Sequence, residues 1–146
     1  MKISKKTDYA LRALFHLVEH GEAGPIPIAR LARQNAVPKK FLEHIMLDLK
    51  SQGWVRSVPG KKGGYELARD PDRITMGEVV RYFDGLIAPI NCVSVNQYEP
   101  CSQEARCRFR RLFLQIRDET ARMMDKASLH SIAASSPPRK PAGRAK

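Results

Sequence analysis

No stretch of this chain approaches the roughly 20 consecutive apolar residues that a membrane-spanning helix needs. Its first six residues are basic, but an amphipathic segment follows where a secretory signal would place an apolar core. A cytoplasmic protein with no membrane partner is therefore expected. Also missing are a phosphate-cradling glycine motif, a recognisable nucleophile–base pair and the C-x2–4-C pairs of structural zinc sites, so the sequence is not expected to be an enzyme. Cysteine is scarce, with three in 146 residues, and an odd count in a reducing compartment does not make a disulfide framework. Acidic residues are outnumbered: 26 Lys and Arg face 15 Asp and Glu, a net charge of +11. Without the last ten residues, 22 basic side chains remain against 15 acidic, or +7, so the excess belongs to the body of the chain. Such an excess displaces counterions from phosphates and steers a protein toward polyanions. Charge alone is equally compatible with ordinary solubility.

Apolar spacing supplies the fold. Ala10, Leu11, Leu14, Leu17 and Val18 share one face of a helix over residues 7–20, closed by Gly21 and Gly24-Pro25. Ile28, Leu31 and Ala32 predict a short helix over 27–34, with Asn35 as a left-handed cap. Pro38 suits the first turn of a third helix that buries Phe41, Leu42, Ile45, Met46 and Leu49 and stops at Gly53. Two helices meeting across residues 35–37 make a helix-turn-helix.

Residues 54–58 and 65–68 read as two short strands around Pro59-Gly60-Lys61-Lys62-Gly63-Gly64. A hairpin directly after a helix-turn-helix is a wing, and a glycine- and lysine-rich tip can lie close to phosphates or enter a narrow groove. Thr75-Met76-Gly77-Glu78 is a capping box that starts a helix reaching about residue 83. Residues 84–101 have loop character, and 102–126 read as one long helix. Its stripe of Ala105, Phe109, Leu112, Ile116, Met123 and Ala127 has heptad-like spacing. A helix this long needs a partner surface, and the same helix of a second subunit supplies one. The expected fold is mainly α with a small β-hairpin: a winged helix-turn-helix domain over 1–83, a cysteine-containing loop over 84–101, a dimerisation helix and C-terminal segment over 102–132, and a disordered basic tail over 133–146.

On the third helix the polar face offers Lys39, Lys40, Glu43 and His44, with Asp48 further along. In a major groove the lysines and His44 reach base edges or phosphates, whereas Glu43 repels phosphate but accepts a hydrogen bond from cytosine N4. With Lys61 and Lys62 of the wing, these are the candidate DNA-binding residues. A plain solvated helix face is the simpler alternative, and the position of the wing weighs against it.

The cysteines read Cys92-x8-Cys101-x5-Cys107. Thiolates are soft ligands for iron–sulfur clusters and zinc, and the wide spacing suits a cluster better than a single tetrahedral zinc. Redox-active thiols are the other reading; inert buried packing does not suit three cysteines in a polar loop. Glu99, Glu104, His130 and, across a dimer, Asp8 are open as a fourth ligand. Arg110 is excluded, because guanidinium keeps its proton.

Taken jointly, Lys2-Ile3-Ser4, the run Thr7-Asp8-Tyr9-Ala10-Leu11-Arg12-Ala13-Leu14, Phe41-Leu42-Glu43, Gly60-Lys61-Lys62-Gly63-Gly64-Tyr65, Gly77-Glu78-Val79-Val80 and the trailing cysteines resemble the Rrf-two family of bacterial regulators over residues 1–132. That family includes the iron–sulfur regulator IscR, the nitric-oxide sensor NsrR and the iron regulator RirA. The resemblance implies a homodimer with crossed C-terminal helices, recognition helices in the major groove of a palindromic operator, and wings at the minor groove. It implies a cluster, [4Fe-4S] or [2Fe-2S], on Cys92, Cys101 and Cys107. IscR has a histidine ligand where this chain has Arg110, while NsrR-like members use an aspartate of the opening segment from the other subunit, matched here by Asp8. IscR also has an arginine where this chain has Pro59, which leaves minor-groove reading to Lys61 or Lys62. The expected function is a transcriptional repressor sensing nitric oxide, redox state or iron status. A cluster-free regulator answering to thiol oxidation or a protein partner is the alternative.

Overall fold

In a computed structural model that describes residues 2–135 and 137, the order of elements is α1 (Lys5–His20), α2 (Ile28–Gln34), α3 (Lys39–Ser51), β1 (Val55–Val58), β2 (Gly64–Leu67), α4 (Met76–Asp84), α5 (Arg110–Lys126) and α6 (Leu129–Ala134). The expected fold class is the one observed. Most of the expected tail, residue 136 and residues 138–146, lies outside the described residues.

The core gathers the predicted faces of α1, α2 and α3, with Leu14, Leu31, Leu42, Ile45, Met46 and Leu49 all fully buried. Ser4 caps α1, its hydroxyl accepting from the Thr7 amide at 3.2 Å. The backbone N–H of Ser4 and the Thr7 hydroxyl both donate to Asp84 Oδ2, at 2.9 and 2.8 Å, tying the start of α1 to the end of α4. Two expectations shift locally. Asn35 has φ −101°, and the left-handed residue is Ala36 at φ 53°. The Asn35 amide instead donates to the Leu31 carbonyl at 2.9 Å. Phe41, expected in the core, is 40% exposed and packs edge-to-face on Tyr9, with ring centroids 5.6 Å apart.

The hairpin is antiparallel, pairing Val55 with Leu67 and Val58 with Gly64. Ile26 and Tyr65 exchange two backbone hydrogen bonds of 2.9 Å, which fastens the wing to the segment entering α2. Gly64 is required there: it has φ +153°, and a Cβ would lie 2.3 Å from the Ile26 carbonyl carbon and oxygen. The Thr75–Glu78 capping box is formed in both directions.

The second half departs further from its reading. The long helix begins at Arg110 rather than residue 102, so Ala105 and Phe109 precede it. Turn bonds from Glu104 N to the Cys101 carbonyl (3.0 Å) and from Arg106 N to the Gln103 carbonyl (2.9 Å) hold the intervening chain. The Glu104 carboxylate is also held by Tyr98 Oη at 2.8 Å and by Arg110 at 2.9 Å. No residue of α5 is buried. It rests on α4, where Arg81 makes a two-pronged ion pair with Asp125 at 2.7 and 2.6 Å over Gly77. The chain then returns: Met76 N donates to the Ala127 carbonyl and Leu129 N to the Ile74 carbonyl, each at 2.8 Å. Helix α6 was not anticipated; Ser128 caps it, and Leu129, 2% exposed, completes the core.

Candidate nucleic-acid interface and cysteine segment

Burial of Leu42, Ile45, Met46 and Leu49 turns the opposite side of α3 outward, and Lys39, Lys40, Glu43 and His44 are all exposed. Of the neighbouring acids, Asp48 is paired with Lys6 at 2.9 Å, and Glu66 in the wing with Arg56 at 2.7 Å. Lys61 and Lys62 are exposed at the wing tip between the two strands. Lys50 Nζ donates to Ser57 Oγ at 3.0 Å, joining α3 to the first wing strand. A cationic helix face beside a cationic loop can follow a phosphate backbone, and an exposed carboxylate on such a helix can accept from cytosine N4.

Two exposed apolar residues on α3 escaped the sequence reading. Leu47, 58% exposed, shares the outward face with Lys40, Glu43 and His44, and Phe41 borders that face. The signal for Leu47 was present, since it falls outside the 42, 45, 46, 49 burial pattern.

The three thiols lie in different surroundings. Cys92 is buried in the 3-10 turn Asn91–Val93, Cys107 is half-buried and Cys101 is exposed. The expectation that none would be packed away therefore fails for Cys92, which is 7% exposed. Two arginines of α5 hold that turn: Arg117 donates to the Val93 carbonyl at 2.8 Å and Arg110 to the Cys92 carbonyl at 3.5 Å. Arg110 Nε is buried without a hydrogen-bond partner among the described residues. Among those residues, no group of three or more His, Cys, Asp or Glu side chains is placed to hold a metal ion. As a donor set three soft thiolates fit an iron–sulfur cluster; one chain by itself does not gather them.

Of the fourth-ligand candidates, Glu104 is engaged by Tyr98 and Arg110, and this hydrogen bond raises the Tyr98 phenol above its ordinary pKa. His130 lies on α6. Asp8 is clasped by Arg12, with Nη2 to Oδ2 at 2.8 Å and Nε to Oδ1 at 3.3 Å. The same guanidinium donates to the Asn35 carbonyl in the helix-turn-helix turn at 3.3 Å and lies 5.5 Å from the Tyr9 ring centroid. The Asp8 carboxylate is thus linked, through Arg12, to the turn that follows α2.

Comparison with known proteins places this geometry among regulators. A family profile described as "Rrf2: Iron-dependent Transcriptional regulator" matches residues 3–135. An rrf2-like HTH-type transcriptional regulator of Rhodobacter capsulatus is 37% identical over 142 residues, covering 93% of this chain and 95% of that one. The HTH-type regulator CymR of Bacillus subtilis is 34% identical over 134 residues, covering 91% and 90%. The solved structure of CymR, described as the global cysteine regulator of B. subtilis, superposes with a TM-score of 0.73 at 32% identity, covering 92% of this chain and 97% of that one. IscR of Aliivibrio salmonicida is 29% identical over 132 residues, covering 90% and 77%.

Proposed function

The chain belongs to the Rrf2 family of transcriptional regulators, a family of regulators rather than enzymes, and we propose that it acts as a cytoplasmic homodimeric repressor binding a palindromic operator. The observation that carries this reading is the outward face of α3, with Lys39, Lys40, Glu43 and His44 beside a lysine-tipped wing fastened to the same core. The helix enters the major groove, Lys39, Lys40 and His44 meeting phosphates and base edges while Glu43 accepts from cytosine N4. Lys61 and Lys62 meet the minor groove. The dimer rests on the apolar residues that α5 leaves uncovered, Leu112 at 53% and Met123 at 65% exposure. A twofold protein demands a twofold site. Titration of full-length protein on an operator selected from random duplexes tests the reading. Lys61→Ala and Lys62→Ala should each lower affinity across sequences and flatten the salt dependence by about one unit of slope. Binding indifferent to both wing lysines and to α3 would contradict it.

Control of that binding falls to the cysteine segment. Cys92, Cys101 and Cys107, with Asp8 of the partner subunit, would hold an iron–sulfur cluster, [4Fe-4S] or [2Fe-2S]. When bound, such a group supplies iron whose ligation responds to nitric oxide, redox state or iron supply. This chain's own part is to present the thiols. The turn that carries Cys92 is held by Arg110 and Arg117, and ligation by Asp8 would compete with its clasp by Arg12, which also holds the helix-turn-helix turn. The dispersed thiols and the likeness to CymR, named for cysteine regulation, favour a second reading. In it, thiol oxidation or a protein partner acts on the same segment without a cluster. Iron, sulfide and visible absorption of anaerobically purified protein separate the two; a colourless, iron-free preparation would sink the cluster.

A further inference from the structure

Phe41 is the one large apolar side chain of the third helix that the helical pattern assigns to the core and the fold leaves 40% exposed. It sits in the first turn of α3, the part of a recognition helix that approaches base edges. The ring is braced: Tyr9 meets it edge-on at 84° with centroids 5.6 Å apart, and Arg12, itself clasped by Asp8, lies 5.5 Å from the centre of Tyr9. Around the two rings is an open cleft whose remaining lining is Lys5, Pro38, Lys40 and His44, with no acid among them. An apolar floor with a cationic rim matches duplex DNA, whose phosphates satisfy the rim and whose apolar group in the major groove is the thymine 5-methyl.

We infer that Phe41, steadied by Tyr9, is a sequence-reading residue that receives a thymine methyl in each half-site, and that the operator therefore carries a T at the base pair facing the start of α3. This rests on the operator-binding reading. It adds a specificity determinant distinct from the polar readers Lys40, Glu43 and His44, which act through hydrogen bonds. An edge-to-face aromatic pair supplies apolar contact at little entropic cost, because the ring is already held before DNA arrives.

The test uses full-length protein and an operator selected from random duplexes. Each thymine of the operator is replaced in turn by deoxyuridine, which removes the methyl and leaves base pairing intact. One thymine per half-site is expected to lose about fourfold in affinity, and both together roughly 15-fold, the worth of one buried apolar carbon at each contact. Phe41→Ala should bind the thymine and deoxyuridine operators equally, while Phe41→Leu restores part of the difference. Lys5→Ala should weaken both operators alike and preserve their ratio. Thermal melting of each variant checks that it is folded. A selected operator whose every thymine tolerates deoxyuridine within twofold would overturn the inference alone, as would a Phe41→Ala protein that keeps the full ratio. Failure to enrich any sequence would overturn the operator-binding reading and this one with it.

Discussion

The segment that ends with α4 and the segment that follows it bury their apolar residues very differently. From α1 to α4, every element contributes to one core, helix starts are capped by Ser4 and Thr75, and the wing is fastened by the Ile26–Tyr65 bridge. From Gly85 through α5, the chain buries only Cys92 and Val93, leaves Ile90, Val95, Tyr98, Leu112 and Met123 exposed, and is held mainly by side-chain contacts of Glu104, Arg110, Arg117 and Asp125. The first region forms a packed core that Leu129 of α6 completes; the second leaves most of its large apolar side chains exposed. Energetically the two should answer to different perturbations, the first to packing and backbone changes, the second to loss of its partners.

The largest break in that comparison is expected at α5. Leu112→Asp with Met123→Asp places charges on the uncovered stripe. It should yield a folded monomer whose operator affinity drops by roughly 10²- to 10⁴-fold, the avidity lost with the second half-site, read by sedimentation and DNA titration. An unchanged dimer would remove α5 as the subunit interface. Next comes a change within the first region. Gly64→Ala sets a Cβ 2.3 Å from the Ile26 carbonyl group at φ +153°, so it should cost about 3 kcal/mol in chemical denaturation, the upper part of the range for overpacking.

A smaller effect sharpens the same contrast with the opposite sign. Ala36 holds a left-handed conformation at φ 53° at the end of α2. Ala36→Gly should stabilise the protein by about 0.5 to 1 kcal/mol, the strain relieved less the entropy added to the unfolded chain. The smallest effect is at the junction of the two regions. The hydrogen bond from Arg81 holds the Asp125 carboxyl below its ordinary value. A depressed carboxyl pKa stabilises the folded state above the unfolded pKa, near pH 4, and that contribution is lost as pH falls through the folded value. Both side chains are more than two-fifths exposed, so the effect is screened. Arg81→Ala should cost roughly 0.5 kcal/mol at neutral pH, with the difference from wild type vanishing in acid melts.

What could be read from the residues follows the same division. The apolar spacing of α1 and α3, the Thr75–Glu78 box and the glycine–lysine hairpin are local signals, and the structure contains each of them. Ala36 taking the left-handed turn was hidden because the Asn35 amide reached back to Leu31 instead. The exposure of Phe41 was hidden because its partner, Tyr9, lies 32 positions earlier in the sequence. Past Asp84 the determinants become long-range side-chain bonds without periodicity, such as Tyr98 to Glu104 and Arg117 to the Val93 carbonyl. Heptad spacing located an exposed stripe on α5 but carried the helix eight residues too far back, from 110 to 102. Helix α6 was missed because six residues give too little pattern; its one clear mark was the Ser128 cap. The candidate cluster ligands are legible as residue types alone, since no single chain gathers them.

In the function proposed above, the cysteine segment controls operator binding by the helix-turn-helix and wing. The most direct test of that control is the operator affinity of anaerobically purified dimer before and after exposure to nitric oxide or oxygen, beside a variant carrying Cys92→Ser, Cys101→Ser and Cys107→Ser. A change of about 5- to 150-fold is expected in the native protein, the range of a coupling of ~1–3 kcal/mol, and none in the variant. A native protein whose affinity changes no more than that of the serine variant would contradict it.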